Sequence, residues 1–182
     1  MRIITGDARG ARLKTPRGMN TRPTADRVKE SVFNILGTRV ADARVLDLFA
    51  GTGNLGLEAL SRGATRCIFV DVRTASTIRE NALHTKQEHK TEILRADVYK
   101  TLSHCIKKGN EFELIFCDPP YNYGHVDAVM KILDSSVLLA PKGIIVIEHS
   151  RHEILADSWE NLEIVRKEQY GETIVSFIQY RT

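Results

Sequence analysis

One stretch constrains the fold more than any other: Val45-Leu46-Asp47-Leu48-Phe49-Ala50-Gly51-Thr52-Gly53-Asn54-Leu55-Gly56-Leu57-Glu58-Ala59-Leu60. It opens as a short apolar strand, breaks on glycines and resumes with helix-forming residues. That strand–turn–helix order is the signature of a nucleotide-binding α/β unit. Gly51 can turn with positive φ, Gly53 lets a ligand approach the backbone, and Gly56 lets the helix lie close on its strand. The unpaired N–H groups that open the helix then face the ligand. Taken alone, the glycine pattern is a weak signal that also fits a bare structural turn or an NAD site.

Asp47 shifts the balance. A pyrophosphate gains nothing from a carboxylate lodged just ahead of the glycine turn. S-adenosylmethionine carries an ammonium and a sulfonium, and an acid favours a cation. Asp47 to Gly53, read as D-x-F-A-G-x-G, resembles motif I of the class I methyltransferases. The competing reading is an Asp that caps the surface.

The apolar runs that follow keep a regular βα alternation. Cys67–Val70 reads as a strand ending at Asp71, and Glu92–Ala96 as one ending at Asp97. Phe112–Cys117 is continuously apolar enough for a strand buried on both faces, ending at Asp118. Gly143–Ile147 is another such strand, with Glu148 at its end. Helices are expected from Arg73 to about His84, across Leu102 and Ile106, and with Val126, Val129, Met130, Leu133 and Val137 on one face. Leu162–Val165 and Thr173–Ile178 read as an antiparallel hairpin on the sheet edge, joined across Tyr170-Gly171. Ahead of the glycine turn, Arg2–Ile4 and Ala11–Lys14 flank a turn from Gly6 to Gly10. Thr24 is the expected N-cap of a helix carrying Val28, Val32, Ile35 and Leu36 and closed by Gly37. The fold class is therefore α/β: a doubly wound, Rossmann-like sheet, mostly parallel with a C-terminal antiparallel hairpin. A small basic N-terminal β-hairpin, residues 1–23, precedes the main domain, residues 24–182.

Charge supports that division. The net charge of +3 conceals nine Lys and Arg against three acids in residues 1–39, a local +6. Such asymmetry suits a basic arm meeting a polyanion, or a solvated Arg-rich hairpin. The three cysteines form no C-x-x-C pair, and the six histidines show no zinc-ligand spacing, so no metal is expected. Cys67 and Cys117 fall inside apolar strands and read as buried thiols. No apolar run reaches the length of a transmembrane helix and no signal-peptide core follows Met1, so no membrane and a cytoplasmic location are expected.

Open α/β sheets bind ligands beyond the carboxyl ends of their strands. Asp47, Asp71, Asp97, Asp118 and Glu148 all fall at such ends, where core residues would be apolar. Asp71 lies twenty residues after Gly51, the spacing of an acid that accepts from ribose hydroxyls. Asp97 is placed to accept from an adenine amine, or to cap the following helix. In Asp118-Pro119-Pro120-Tyr121, two prolines remove two backbone donors and leave a rigid strip of acceptors. The Asp118 carboxylate and the Pro119 carbonyl can both accept from one planar amine, and Tyr121 offers a face for a flipped base.

This last motif is similar to the D/N-P-P-Y of amino-methyltransferases acting on nucleobases. Met1-Arg2-Ile3-Ile4, Thr21-Arg22-Pro23-Thr24 with Arg27-Val28-Lys29-Glu30, Phe33-Asn34-Ile35-Leu36, Gly56 to Ala64 and Gly171-x-Thr173 narrow it. Together they resemble the RsmD-type bacterial 16S rRNA guanine-N2 methyltransferases along nearly the whole chain. The resemblance implies S-adenosylmethionine as cofactor and 16S rRNA of an assembling small ribosomal subunit as substrate, with the enzyme a monomer. It implies catalytic roles for Asp118, Pro119 and Tyr121. Cofactor contacts are implied for Asp47, Phe49, Gly51, Gly53, Asn54, Asp71, Val72, Asp97, Val98 and Asp118. Substrate contacts are implied for Arg9, Arg12, Arg22, Thr24, Arg27, Pro120 and Tyr121. Val70-Asp71-Val72-Arg73 departs from the family, which more often has Glu followed by Lys-Asp. Three other readings stay open: an adenine-N6 methyltransferase of DNA or RNA, an NAD-dependent oxidoreductase, and an idle RNA-binding module. The first usually needs an added target-recognition region, the second gives Asp118–Tyr121 no role, and the third leaves the strand-end acids unexplained.

Overall fold

In a computed structural model, which describes residues 1–16 and 23–182, the run Arg44–Leu48 forms β1 in the interior of a seven-stranded sheet. The elements in chain order are α1 (Pro23–Leu36), β1, α2 (Asn54–Ser61), β2 (Arg66–Val70), α3 (Ala75–His84), β3 (Thr91–Leu94), α4 (Val98–Lys107), β4 (Phe112–Cys117), α5 (His125–Asp134), β5 (Leu139–Ser150), β6 (Leu162–Tyr170) and β7 (Thr173–Tyr180). The strands stand in the order β3-β2-β1-β4-β5-β7-β6. β1 to β5 pair in parallel, while β7 runs antiparallel to both β5 and β6. The winding reverses between β1 and β4, and their carboxyl ends part to leave a crevice.

Strand alternation sorts the apolar residues onto two faces. Val45, Phe69, Leu114 and Val146 meet α1, α2 and α3 through Phe33, Leu57 and Ile78. Leu46, Leu48, Ile115 and Ile147 meet α4 and α5 through Leu102, Val129 and Leu133. Gly56 makes the α2 contact possible. A Cβ there would lie 2.3 Å from the Phe69 ring and 2.6 Å from Cys67 Sγ.

Four boundaries differ from expectation. β5 continues to Ser150 because β7 carries the ladder on, pairing Glu148 with Val175 and Ser150 with Thr173. Glu148 is thus inside a strand, one residue beyond the last parallel pair, Cys117 with Ile147. Val137 is off the α5 face, since α5 stops at Asp134 and leaves Val137 64% exposed. β3 ends at Leu94, so Asp97 belongs to the start of α4 rather than to a strand end. α1 begins at Pro23, one residue ahead of the expected cap at Thr24.

The N-terminal hairpin is held by polar groups that the sequence leaves looking unremarkable. Ile3 N–H donates to the Ala11 carbonyl at 2.9 Å, and Gly10 N–H to the Ile3 carbonyl at 2.8 Å. Ile3 and Leu13 are buried in the α1/α2 core. Asn81 of α3 ties the Lys14 backbone to the glycine turn, accepting from Lys14 N–H at 2.7 Å and donating to the Thr52 carbonyl at 2.9 Å. Glu58 of α2, fully buried, accepts from Ile4 N–H at 2.8 Å, Thr5 N–H at 3.0 Å and Arg62 Nε at 2.8 Å. Lys29 Nζ lies 3.2 Å from the same carboxylate. Lys29, counted with the basic arm on charge alone, is therefore a buried residue and not a surface cation. Burial lowers its pKa, and Glu58 opposes that fall.

Candidate active site

The loops after β1 and β4 meet α1, β5 and the β6–β7 turn around a cleft of about 610 Å³. That volume suits a small-molecule site. Asp47, Phe49, Gly51 and Asn54 reach it from the glycine turn, and Asp118 and Tyr121 from the loop after β4. Lys29, Glu148, Tyr170 and Thr173 complete the wall. Gly53, Asp71, Val72, Asp97, Val98, Pro119 and Pro120 lie outside this lining. At Gly53 a Cβ would meet Ile78 and Leu57 in the core, so the glycine serves packing and not ligand approach.

The turn itself is tightly specified. Gly51 and Gly53 take φ of 57° and 79°, and Phe49 is also left-handed at 58°. An aromatic residue there stores backbone strain of about 1–3 kcal/mol. Its ring is braced 5.2 Å from that of His125, at the start of α5. Asn54, the first residue of α2, accepts from Lys29 Nζ at 2.7 Å. Asp47 alternates onto the α2 side of the sheet, where Oδ2 accepts from Gly56 N–H at 2.9 Å. The acid thus fastens the opening of α2 as well as lining the cleft. Burial pushes its pKa up to about 8, with a smaller push from Asp71. A cation brought beside it would reverse that shift, whereas a pyrophosphate would add to it.

Asp71 bridges the turn to the start of α3. Its Oδ2 accepts from Gly51 N–H at 3.0 Å, and Oδ1 from Arg73 and Thr74 N–H at 2.8 and 3.0 Å. A carboxylate offers about four lone-pair sites, so one remains for a hydroxyl. Asp97 caps α4, accepting from Lys100 N–H at 3.1 Å, so the capping alternative holds for this residue. Val98 is buried against α4's neighbours, while Val72 is 51% exposed.

Asp118 receives no hydrogen bond from protein donors among the described residues. It opens to the cleft, and the enclosing walls, then Glu148 and Asp47, push its pKa well above the carboxylate range. Glu148 is raised too, by burial, with Tyr121 acting against the rise. The Tyr121 hydroxyl donates to Glu148 Oε1 and lies 3.1 Å from Thr173 Oγ1. Burial and Glu148 together hold that phenol in its neutral form. These contacts anchor the proline loop to β5 and β7 and fix the plane of the Tyr121 ring. Pro119 is buried and Pro120 exposed. The Tyr121–Glu148–Thr173 link and the Lys29 wall are what sequence reasoning missed, because each joins segments far apart in the chain.

Of the residues assigned to substrate, Arg9, Arg12 and Arg27 are exposed. Arg22 lies outside the described residues, and Thr24 is described only as backbone within α1.

The model of the family described as conserved hypothetical protein 95 matches residues 1–179. YlbH of Bacillus subtilis is 40% identical over 183 residues, covering all of both chains. The chain belongs to this family. Ribosomal RNA small subunit methyltransferase D of Escherichia coli is 32% identical, over 98% of this chain and 89% of its own. The solved structure of yhhF from Escherichia coli superposes with a TM-score of 0.86 at 31% identity, covering 100% and 98% of the two chains. The family's sheet is that of the class I methyltransferases, as the order of strands and the reversed β7 require.

Proposed function

We propose that this protein methylates the exocyclic N2 amine of a guanine in 16S rRNA, using S-adenosylmethionine. One observation carries the reading. Asp47, Asp118 and Glu148 crowd one cleft with their pKa values raised, and Asp118 has no donor among the described residues. Such a site is completed by a cationic ligand and a group bearing N–H donors.

The residues fit that cofactor. Asp47 favours its positive end, Gly51 presents its backbone to the cleft, and Asp71 keeps an acceptor for a ribose hydroxyl. The cofactor supplies an electrophilic methyl group. Asp118 and the Pro119 carbonyl accept the two N–H bonds of the target amine, drawing its lone pair out of conjugation with the ring. A protonated carboxyl still offers one acceptor oxygen, so the raised pKa of Asp118 does not remove this role. Tyr121, its hydroxyl tethered, presents a ring face for the flipped base. The N-terminal hairpin brings Arg9 and Arg12 to the phosphates, and α1 brings Arg27. The protein acts as a cytoplasmic monomer on the small subunit during assembly.

The relatives support the substrate class: the Escherichia coli protein is named a small-subunit rRNA methyltransferase. The test is nucleoside mass spectrometry of 16S rRNA from cells with and without the gene. Loss of one N2-methylguanosine is expected. An unchanged guanosine profile with loss of an N6-methyladenosine would replace the guanine target by adenine.

A further inference from the structure

β6 carries an extra residue at Val165: Ile164 pairs with Ile178, and Arg166 with the adjacent Phe177. In a regular strand, Ile164 and Arg166 would share one face. Ile164 packs into the α4/α5 core, so an unbroken strand would aim Arg166 the same way. The bulge reverses the face. Tyr170, four residues on, packs on the α1 side accordingly.

Arg166 therefore lines a second, open groove of about 570 Å³ with Arg27, Glu30, Ser31, Asn34 and Ile35. The helical residues repeat at three- and four-residue steps, one stripe of α1 facing β6. The Ser31 and Tyr170 hydroxyls are hydrogen-bonded to each other. Tyr170 also lines the catalytic cleft, so this pair is a wall shared by both. Arg166 uses only Nε, at 2.7 Å, to hold Glu168. Its terminal amino groups, and the whole Arg27 guanidinium, donate to no acceptor among the described residues. Lys167, the next residue, faces the other way and pairs with Asp157 at 2.6 Å.

We propose that this groove seats the sugar–phosphate backbone beside the nucleotide that enters the cleft, with Arg166 and Arg27 on its phosphates. The inference rests on the functional reading above. Glu30 and Asn34 add acceptors for ribose 2′-hydroxyls, which a backbone of RNA supplies and one of DNA lacks. The bulge is thus a device that points a cation along the substrate's path.

The probe is a 16S rRNA transcript, its affinity measured across a potassium chloride series. Arg166→Ala should weaken binding several-fold and reduce the slope of log K against log salt by about 0.7–0.9, one phosphate contact. The KM for RNA should rise by the same factor, with kcat and affinity for S-adenosylhomocysteine unchanged. Arg166→Lys should recover most of the loss, and Lys167→Ala should keep the wild-type slope. A wild-type slope in Arg166→Ala, or an equal fall in Lys167→Ala, would overturn the groove. Failure of the wild-type protein to methylate both the transcript and small subunits from cells lacking the gene would instead overturn the functional reading, since the salt slopes are measured without turnover.

Discussion

The lock around Glu58, fully buried, and the cleft around Asp118, which is exposed, treat a carboxyl in opposite ways. Glu58 is met by Lys29, Arg62 and the N–H groups of Ile4 and Thr5. Asp118 is met by two further acids, Glu148 and Asp47. The first arrangement satisfies its charge within the chain and fixes the hairpin and α1 onto α2. The second gives Asp118 no donor among the described residues and leaves its acceptors facing the cleft. A fold that compensates Glu58 so fully does not leave Asp118 bare for lack of donors. The difference separates a structural network from a binding site.

Breaking the lock should have the largest effect on stability. Removing one partner of a buried ion pair costs about 3–5 kcal/mol. Glu58→Ala would take the carboxylate from Lys29, 1% exposed, leaving its charge only the Asn54 and Arg2 oxygens, and would strand two backbone donors. Chemical denaturation should show a loss of that order; a wild-type midpoint would mean that the pair is dispensable.

Asp71 lies between the two cases, satisfied by three N–H groups yet with capacity to spare. Asp71→Ala should weaken cofactor binding about tenfold or more, from a charged hydrogen bond of about 1.5–3 kcal/mol. It should also lower the melting temperature, because Gly51 loses its partner. Calorimetry with unchanged affinity would remove Asp71 from the site.

A smaller effect should mark Asp47. From the ordinary carboxyl range up to about 8, the folded protein keeps a proton that the unfolded chain has released. The stability owed to this group therefore declines as pH rises toward 8 and is gone above it. A cationic ligand lowers that pKa, so cofactor binding at pH 7 should expel a proton. Calorimetric heats compared across buffers of different ionisation enthalpy read this directly, and proton uptake would contradict it. Tyr121→Phe should be milder still: the ring face survives, and only the tether to Glu148 and Thr173 is lost. Its turnover should fall less than that of Tyr121→Ala.

Much of the sheet was legible because its signals are local. The apolar runs at Val45, Cys67 and Phe112 carry strand character in a few neighbouring residues, and Gly56 announces a close helix–strand contact. The cleft acids were legible through their position at strand ends. Glu148 follows an apolar run, which marks its place at the cleft, yet β5 extends past it on a β7 ladder that no local pattern encodes. The Glu58 lock was not legible. Lys29, Glu58, Ser61 and Asn81 look like ordinary helix-surface residues until the N-terminal hairpin folds over them. The bulge at Val165 is equally silent, because one added residue changes which face a strand presents without changing its composition.

The most direct test pairs activity with stability at Asp118. Single-turnover methyl transfer from labelled S-adenosylmethionine to 16S rRNA should fall by about a hundredfold or more in Asp118→Ala, the scale set by losing one preorganised hydrogen-bonding group. Cofactor affinity should stay near wild type. Asp118→Asn, which keeps an acceptor oxygen, should retain more activity than Ala. The melting temperature of Asp118→Ala should stay near that of the wild type, because Asp118 is exposed and no hydrogen bond from a described donor is lost with it. Full methyl transfer by Asp118→Ala would place the chemistry elsewhere, and a melting temperature lowered as far as in Glu58→Ala would make Asp118 one more structural acid.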